Sequence, residues 1–145
     1  MSFLSSMNIS ATALTATRVR MDVITENIAN SNTTRTASGD PYRRKYVVFQ
    51  ERGQEDKAFT SFFHKAKKTS GGVRVLEIGS DMSEFKYDYN PSHPDADENG
   101  YVRLPNVEVV QEMVDMMSAF RAYEANITAI NVFKDMAVKT LEIGK

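Results

Sequence analysis

Residues 113–141, MVDMMSAFRAYEANITAINVFKDMAVKTL, carry the apolar repeat that decides the fold. Apolar side chains recur there in alternating steps of three and four residues, and only Lys134 interrupts the series. Its members are Met113, Met116, Phe120, Tyr123, Ile127, Ile130, Ala137 and Leu141. This spacing places an apolar seam along one side of a helix, and such a seam needs a partner helix. The stretch therefore predicts a long helix, over about residues 106–141, that pairs with another helix.

A second repeat lies at the other end of the chain. Met7, Leu14, Met21 and Ile28 recur every seven residues, within a pattern that predicts a helix over about residues 5–30. The run NSNTT at 30–34 ends this helix, because short polar side chains compete for backbone hydrogen bonds. We therefore predict a mainly α protein whose long N- and C-terminal helices pair as a coiled coil.

The middle of the chain has a different character. Short β-prone runs at 46–49, 73–78, 85–89 and 101–104 are separated by Gly, Pro and Asn signals, which predict a small β-rich segment. The polar stretch near 53–70 predicts a variable loop. The chain thus divides into 1–34, an N-terminal helix and its Asn-rich stop, 35–105, the β-rich middle, and 106–145, a long helix that Asn106 is placed to cap.

Charge in the middle segment is polarised. Residues 35–68 hold nine basic and four acidic side chains, whereas residues 77–98 hold seven acidic and one basic. Two solvated surfaces would explain this pattern. Head-to-tail complementarity between neighbouring copies would explain it as well, and would set register and partner choice.

Composition excludes several functional classes. The 145 residues have a net charge of −1 and no Cys, so thiolate, disulfide and Cys–metal chemistry are absent, and nucleic-acid binding is not expected. No apolar run approaches the ~18 residues of a membrane span, so direct membrane insertion is not expected. The first residues lack the charged and apolar regions of a cleavable signal peptide, so we expect export, if it occurs, by another route.

No pattern marks a catalytic, cofactor or metal site. Residues 95–100, DADENG, match the first half of a calcium loop, but the twelfth position is Asn106 and not the required Glu. We interpret them as an acidic turn. The basic run at 43–45, with Lys65, Lys67 and Lys68, favours a protein contact or a solvated strand edge over single-stranded nucleic acid. The sequence therefore predicts a protein that is not an enzyme and uses no cofactor.

Long stretches at both ends, and parts of the middle, resemble the bacterial flagellar axial proteins that build the rod and hook. The matching stretches are NISATALTA at 8–16, RVRMDVI at 18–24, NIANSNTTR at 27–35, PYRRK at 41–45, DAD at 95–97, GYV at 100–102, PNV at 105–107, EMVDM at 112–116, RAYEAN at 121–126 and KTLEIGK at 139–145. The short length is similar to that of the proximal rod proteins of this family. Residues 53–70 match no pattern.

The resemblance implies a structural role. Proteins of this family form the basal-body rod, which transmits motor torque across the periplasm, and they reach it through the flagellar type III export apparatus. Their terminal helices form the inner layer of a tube around the export channel. The resemblance thus implies other rod proteins and further copies of this chain as partners, with both apolar repeats as the assembly interface. In the motif NIAN, small Ala29 would allow close approach, while Asn27 and Asn30 would bond backbone at the helix end.

Two other interpretations remain open at this point. The chain could be another rod or hook component of the same family. It could instead be a soluble coiled-coil adaptor or export chaperone, which would be stably helical alone. An enzyme would need a pocket that nothing in the sequence marks.

Overall fold

The computed structural model describes residues 3–52 and 71–143 of the chain, so the predicted loop near 53–70 lies outside the described residues. Two long helices, α1 (Phe3–Ala29) and α2 (Val109–Ile143), stand at the two ends of the sequence. Between them come the four strands β1 (Lys45–Glu51), β2 (Val73–Ser80), β3 (Lys86–Tyr89) and β4 (Tyr101–Leu104). The prediction of two terminal helices around a small β-rich middle is confirmed. The division into three segments stays a prediction.

The two helices pack against each other in antiparallel directions. Asn27, near the end of α1, bonds Glu112 near the start of α2, and Arg20, farther back along α1, pairs with Asp115, farther along α2. With 27 and 35 residues, the helices are about 40 Å and about 52 Å long at 1.5 Å per residue. The longer α2 therefore extends past the start of α1.

Strands β1 and β2 form an antiparallel hairpin that lies on α1. Lys45 pairs with Ser80 and Glu51 with Val73, and a bulge falls between Val48 and Phe49. The far end of the hairpin reaches the first half of α1, where the Val73 N–H donates to Thr12 Oγ1 at 3.2 Å. A Cβ at position 72 would collide with that same oxygen, and φ there is +97°, so only glycine fits at this contact.

Strands β3 and β4 form a second antiparallel ribbon next to the start of α2. Tyr89 pairs with Tyr101 across the ribbon, and Val102 of β4 is buried. Lys86 Nζ donates to the Val107 carbonyl at 3.0 Å and to the Glu108 carboxylate at 2.6 Å. The ribbon is thus attached where α2 begins, beside the end of α1. The Val73 end of the β1–β2 hairpin lies near the other end of α1, at Thr12.

The buried apolar core is small and lies mainly where these elements converge. Within the described residues it consists of Ala16, Val23, Ile24, Tyr42, Val102, Val107 and Ala119. Ala119 is its only member from α2. Most of the apolar surface of α2 is therefore not covered by the rest of the described chain.

Candidate assembly interface

The structure divides the predicted α2 series into two rows. Met116, Tyr123, Ile130 and Ala137 recur every seven residues and are half-buried. The other row is exposed and consists of Met113 (52% exposed), Phe120 (53%), Ile127 (38%) and Leu141 (75%). The first row lies on the side of α2 that carries the buried Glu112 and Ala119, and the second row lies beside it on the helix and is more exposed.

Two residues of the exposed row, Met113 and Phe120, belong to a wider apolar face near the start of α2. Its members lie on one side of the helix, where residues three or four positions apart are neighbours: Val110, Met113, Val114, Met117 and Phe120. Apolar surface left in water forgoes about 25 cal/mol per Å² of stabilisation. A contiguous face of this kind marks a site of protein contact. We call these five residues the α2 face.

The predicted α1 residues lie at the margin of the packed region. Met7, Leu14, Met21 and Ile28 are all half-buried, and Ala29 is exposed. The most buried apolar residues of α1 are instead Ala16, Val23 and Ile24. The seven-residue spacing thus marks the edge of the helix contact, and the contact itself is made by neighbouring positions.

The two asparagines of the NIAN motif bond backbone in different ways. Asn30 Nδ2 donates to the Glu26 carbonyl of its own helix at 2.9 Å. Asn27 is fully buried, and its Nδ2 donates to the Lys45 carbonyl at 2.8 Å, while its Oδ1 accepts from the Lys45 N–H at 2.9 Å. Asn27 therefore fixes the start of β1 onto α1.

The same Asn27 side chain also connects α1 to α2. Its Nδ2 donates to Glu112 Oε2 at 3.0 Å, and its Oδ1 accepts from the Tyr42 hydroxyl at 2.9 Å. The Glu112 side chain is 1% exposed and accepts from Arg44 Nε at 2.6 Å. We call Asn27, Tyr42, Arg44, Lys45 and Glu112 the polar junction, because they join both helices to the first strand.

A wider charge network surrounds the polar junction. Arg44 Nη2 lies 3.7 Å from Asp115 Oδ2, and Arg20 Nη2 lies 3.8 Å from Asp115 Oδ1. Lys45 Nζ pairs with the Glu26 carboxylate. A buried carboxylate needs such compensation, since its desolvation alone costs several kcal/mol. The network therefore selects one register between α1 and α2.

Sequence reasoning missed the roles of Arg44 and Glu112. Arg44 stands in a basic run that we interpreted as a protein contact or a solvated strand edge, and Glu112 was not singled out as a site residue. In the structure Glu112 lies on the packed side of α2, seven residues before the buried Ala119, and nothing in the sequence marks that side. A charge at such a position requires a partner of opposite sign.

Two further sequence predictions are corrected at the start of α2. The helix begins at Val109, and Asn106 does not cap it. Instead, Asn106 Oδ1 accepts from the Arg44 N–H at 2.8 Å, and its Nδ2 donates to the Asp81 carbonyl at 3.1 Å and Ser83 Oγ at 2.8 Å. Asn106 thus bridges two loops, and these bonds hold its side chain away from the helix terminus.

In the acidic turn at 95–100, carboxylate oxygens of Asp95 and Asp97 accept hydrogen bonds from other groups of the chain. Asp97 Oδ1 accepts from the backbone N–H groups of Asn99 and Tyr101, both at 2.9 Å, and Asp95 bonds Thr34 at 2.8 Å. In residues 3–52 and 71–143, no group of three or more His, Asp or Glu side chains could hold a metal ion. No helix in that part of the chain is long and apolar enough to cross a bilayer.

Tyr42 gives the polar junction a pH dependence. Burial, followed by the nearby carboxylates of Glu26 and Glu112, raises the pKa of Tyr42 to about 12 from its usual 10.0. The folded state thus holds the phenol proton more tightly than the unfolded chain does. The resulting stabilisation is complete below pH 10 and is lost as the pH rises through about 12.

We expect Tyr42→Phe to be destabilised by about 1 kcal/mol at neutral pH, the value of one hydrogen bond. The variant should also lose less stability than the parent between pH 10 and pH 12, the range set by the raised pKa of Tyr42. Denaturant unfolding of both proteins across this range measures the difference. Tyr87→Phe, at an exposed tyrosine, is the matched control. Parallel alkaline curves for Tyr42→Phe and the parent would contradict the assignment.

Two family models match the ends of the chain that form this interface. The model described as "Flagella basal body rod protein" matches residues 7–35, and the model described as "Flagellar basal body rod FlgEFG protein C-terminal" matches residues 98–143. Together they cover α1 from Met7, the turn that follows it, β4 and the whole of α2.

Full-length relatives agree with these models. The chain is 49% identical to the flagellar basal-body rod protein FlgC of Bacillus subtilis, with 97% of each chain covered. It is 47% identical to FlgC of Borreliella burgdorferi, over 99% of this chain and 98% of the relative. FlgC of Salmonella typhimurium is 40% identical, with both chains covered completely. The chain belongs to the FlgC family of flagellar basal-body rod proteins. The family resemblance seen in the sequence is thereby confirmed.

Membership in the FlgC family accounts for the absence of a recognisable catalytic pattern, because this is a family of structural rod proteins and not of enzymes. The FlgC matches span the chain nearly end to end, so the polar junction and the α2 face both lie within the shared region.

Proposed function

We propose that this chain is a non-enzymatic structural subunit of the flagellar basal-body rod, and that it polymerises through its terminal helices. The observation that carries this proposal is the α2 face in a chain of the FlgC family. Its five apolar side chains are between 49% and 69% exposed, although the helix that bears them is held in place by the polar junction. A fixed, uncovered apolar face is suited to contact with a neighbouring subunit.

The terminal helices pair as a coiled coil in this proposal. The half-buried row of α2 recurs every seven residues from Met116 to Ala137, which is the period of a coiled-coil seam. Each residue of the exposed row lies three or four positions from a residue of the half-buried row. The exposed row forms a second apolar seam, which a helix of a neighbouring subunit covers. Met7, Leu14, Met21 and Ile28 extend this contact along α1, and Ala29 allows a close approach at its end.

Stiffness is the mechanical property that the rod requires. Close-packed helices resist sliding because their side chains interlock at nearly crystalline density. The polar junction adds a fixed register within each subunit, so torque applied to one helix is transferred to the other. We infer that neighbouring subunits in the periplasmic rod are copies of this chain and other rod proteins, arranged around the export channel. The flagellar type III export apparatus would deliver the chain, without a cleaved signal peptide.

The direct test is the location of the chain in cells. A strain that lacks the chain should not swim, and a tagged copy should restore swimming and remain in basal bodies purified through detergent extraction. Recovery of the tagged copy only in the soluble fraction, as expected of an adaptor or export chaperone, would contradict the proposal. A tagged copy in the hook and not in the rod would identify it as a hook component instead.

A further inference from the structure

A groove lies between α1 and the far end of the β1–β2 hairpin. Ala16 and Val19 of α1 and Val73 and Val75 of β2 form its apolar floor, and Arg52 and Arg74 stand at its rim. The groove therefore combines an apolar floor with two guanidinium groups, a composition that suits an acidic segment carrying aromatic side chains.

The two rim arginines are not neutralised within the described residues. Arg74 donates through Nε and Nη2 to Gln50 Oε1, at 3.0 and 2.8 Å, and this amide carries no charge. None of the carboxylates in residues 3–52 and 71–143 forms an ion pair with Arg52 or Arg74. Both arginines are exposed in the part of the chain that the structure describes.

The β3–β4 ribbon has the complementary composition. Tyr87, Tyr89 and Tyr101 occupy one face of the ribbon and are 65%, 64% and 45% exposed. Tyr89 and Tyr101 contact edge to face, with ring centroids 5.2 Å apart, so they present a rigid aromatic surface. Near this surface are three exposed carboxylates that form no ion pair within the described residues: Glu84, Asp97 and Glu98. Arg103 shares the tyrosine face and is paired with Asp40, whereas Asp88 lies on the opposite face with Val102.

The ribbon cannot reach the groove of its own molecule. Lys86 holds the ribbon at Glu108, beside the end of α1, whereas the groove lies near Thr12. Fifteen helical residues separate Thr12 from Asn27, a distance of about 22 Å along α1. The two complementary surfaces therefore stand at opposite ends of one subunit and can only meet between two molecules.

We propose that the β3–β4 ribbon of one copy of this chain docks into the groove between α1 and the hairpin of the next copy. The tyrosines cover the apolar floor, and the ribbon carboxylates pair with Arg52 and Arg74. The contact joins two different surfaces, so it repeats in one direction and generates a helical array and not a closed dimer. This inference rests on the proposed function, since it adds a second contact between rod subunits outside the helical layer.

Crosslinking tests the docking directly, because the chain has no Cys and every introduced thiol is unique. Thr15→Cys places a thiol at the groove and Asn99→Cys places one at the ribbon turn, and neither change removes a charge. Treatment of basal bodies from the double variant with a short bis-maleimide should give a ladder of multimers of this chain. When the two single variants, Thr15→Cys and Asn99→Cys, are expressed together in one strain, only dimers should form, because each molecule then carries one thiol.

The matched control replaces Thr15→Cys with Ser118→Cys, an exposed position on α2 that does not line the groove, and should give no ladder. Adding Arg52→Glu and Arg74→Glu to the Thr15→Cys/Asn99→Cys chain should abolish the ladder, and further reversal of Glu84 and Glu98 to Arg should restore it. Basal bodies that contain the double variant but give no ladder, or give products with a different protein, would overturn the docking and leave the rod assignment intact. Absence of the parent chain from basal bodies would instead contradict the proposed function.

Discussion

Phe120→Asp is expected to abolish incorporation of the chain into the basal body and to stop swimming, and Ile127→Asp is expected to do the same. Both side chains lie in the exposed row of α2, so the single chain should still fold. In the assembled rod each aspartate would be an unpaired charge in an apolar contact, which costs several kcal/mol per subunit. Because the cost recurs in every copy, assembly should fail completely.

The amount of tagged chain in purified basal bodies, together with swimming in soft agar, measures this effect. Ala122→Asp is the matched control, since it introduces the same side chain on the same helix at an exposed position on another side from the α2 face. It should assemble and swim like the parent. Normal swimming by Phe120→Asp would show that the α2 face is not an interface.

Arg44→Ala is expected to give the largest loss of folding stability, about 3 kcal/mol. Arg44 is the cation that pairs with the Glu112 carboxylate, and that carboxylate is only 1% exposed. Removal of the cation leaves a buried charge with one remaining donor, Asn27 Nδ2. The two helices and β1 should then separate more easily, which denaturant unfolding followed by circular dichroism would detect.

Two further variants make this second prediction specific. Arg18→Ala removes an exposed arginine of α1 that forms no ion pair within the described residues, and it should change stability by less than about 0.5 kcal/mol. Arg44→Met combined with Glu112→Met removes both charges and should recover much of the loss, since apolar replacements of a buried pair are often neutral. A double variant as unstable as Arg44→Ala would show that the ion pair is not the cause.

The periodicity of the sequence was sufficient to predict both helices and the β-rich middle. Apolar residues at helical spacing identified α1 and α2, and alternation identified β3, because these signals depend on local geometry alone. The start of α2 was placed three residues too early, at Asn106. Its amide is an effective cap in isolation, but in the fold it bonds Arg44 and Asp81, which are distant in sequence.

The candidate interface was harder to resolve from the sequence. The α2 series contains two adjacent apolar rows, and nothing local shows that Met116 and Tyr123 are more buried than Phe120 and Ile127. The position of Glu112 decides this, because its bond to Asn27 fixes the rotation of α2 relative to α1. Such a contact between residues 85 positions apart appears only in the folded chain.

The most direct measurement of the central claim is a density map of the purified basal body in which the side chains of α2 are resolved. Our account predicts that a helix from a neighbouring subunit covers the α2 face, with Phe120 and Met117 in its contact. A map in which this face is bare, or in which the chain contacts its neighbours only through the strands, would contradict the account.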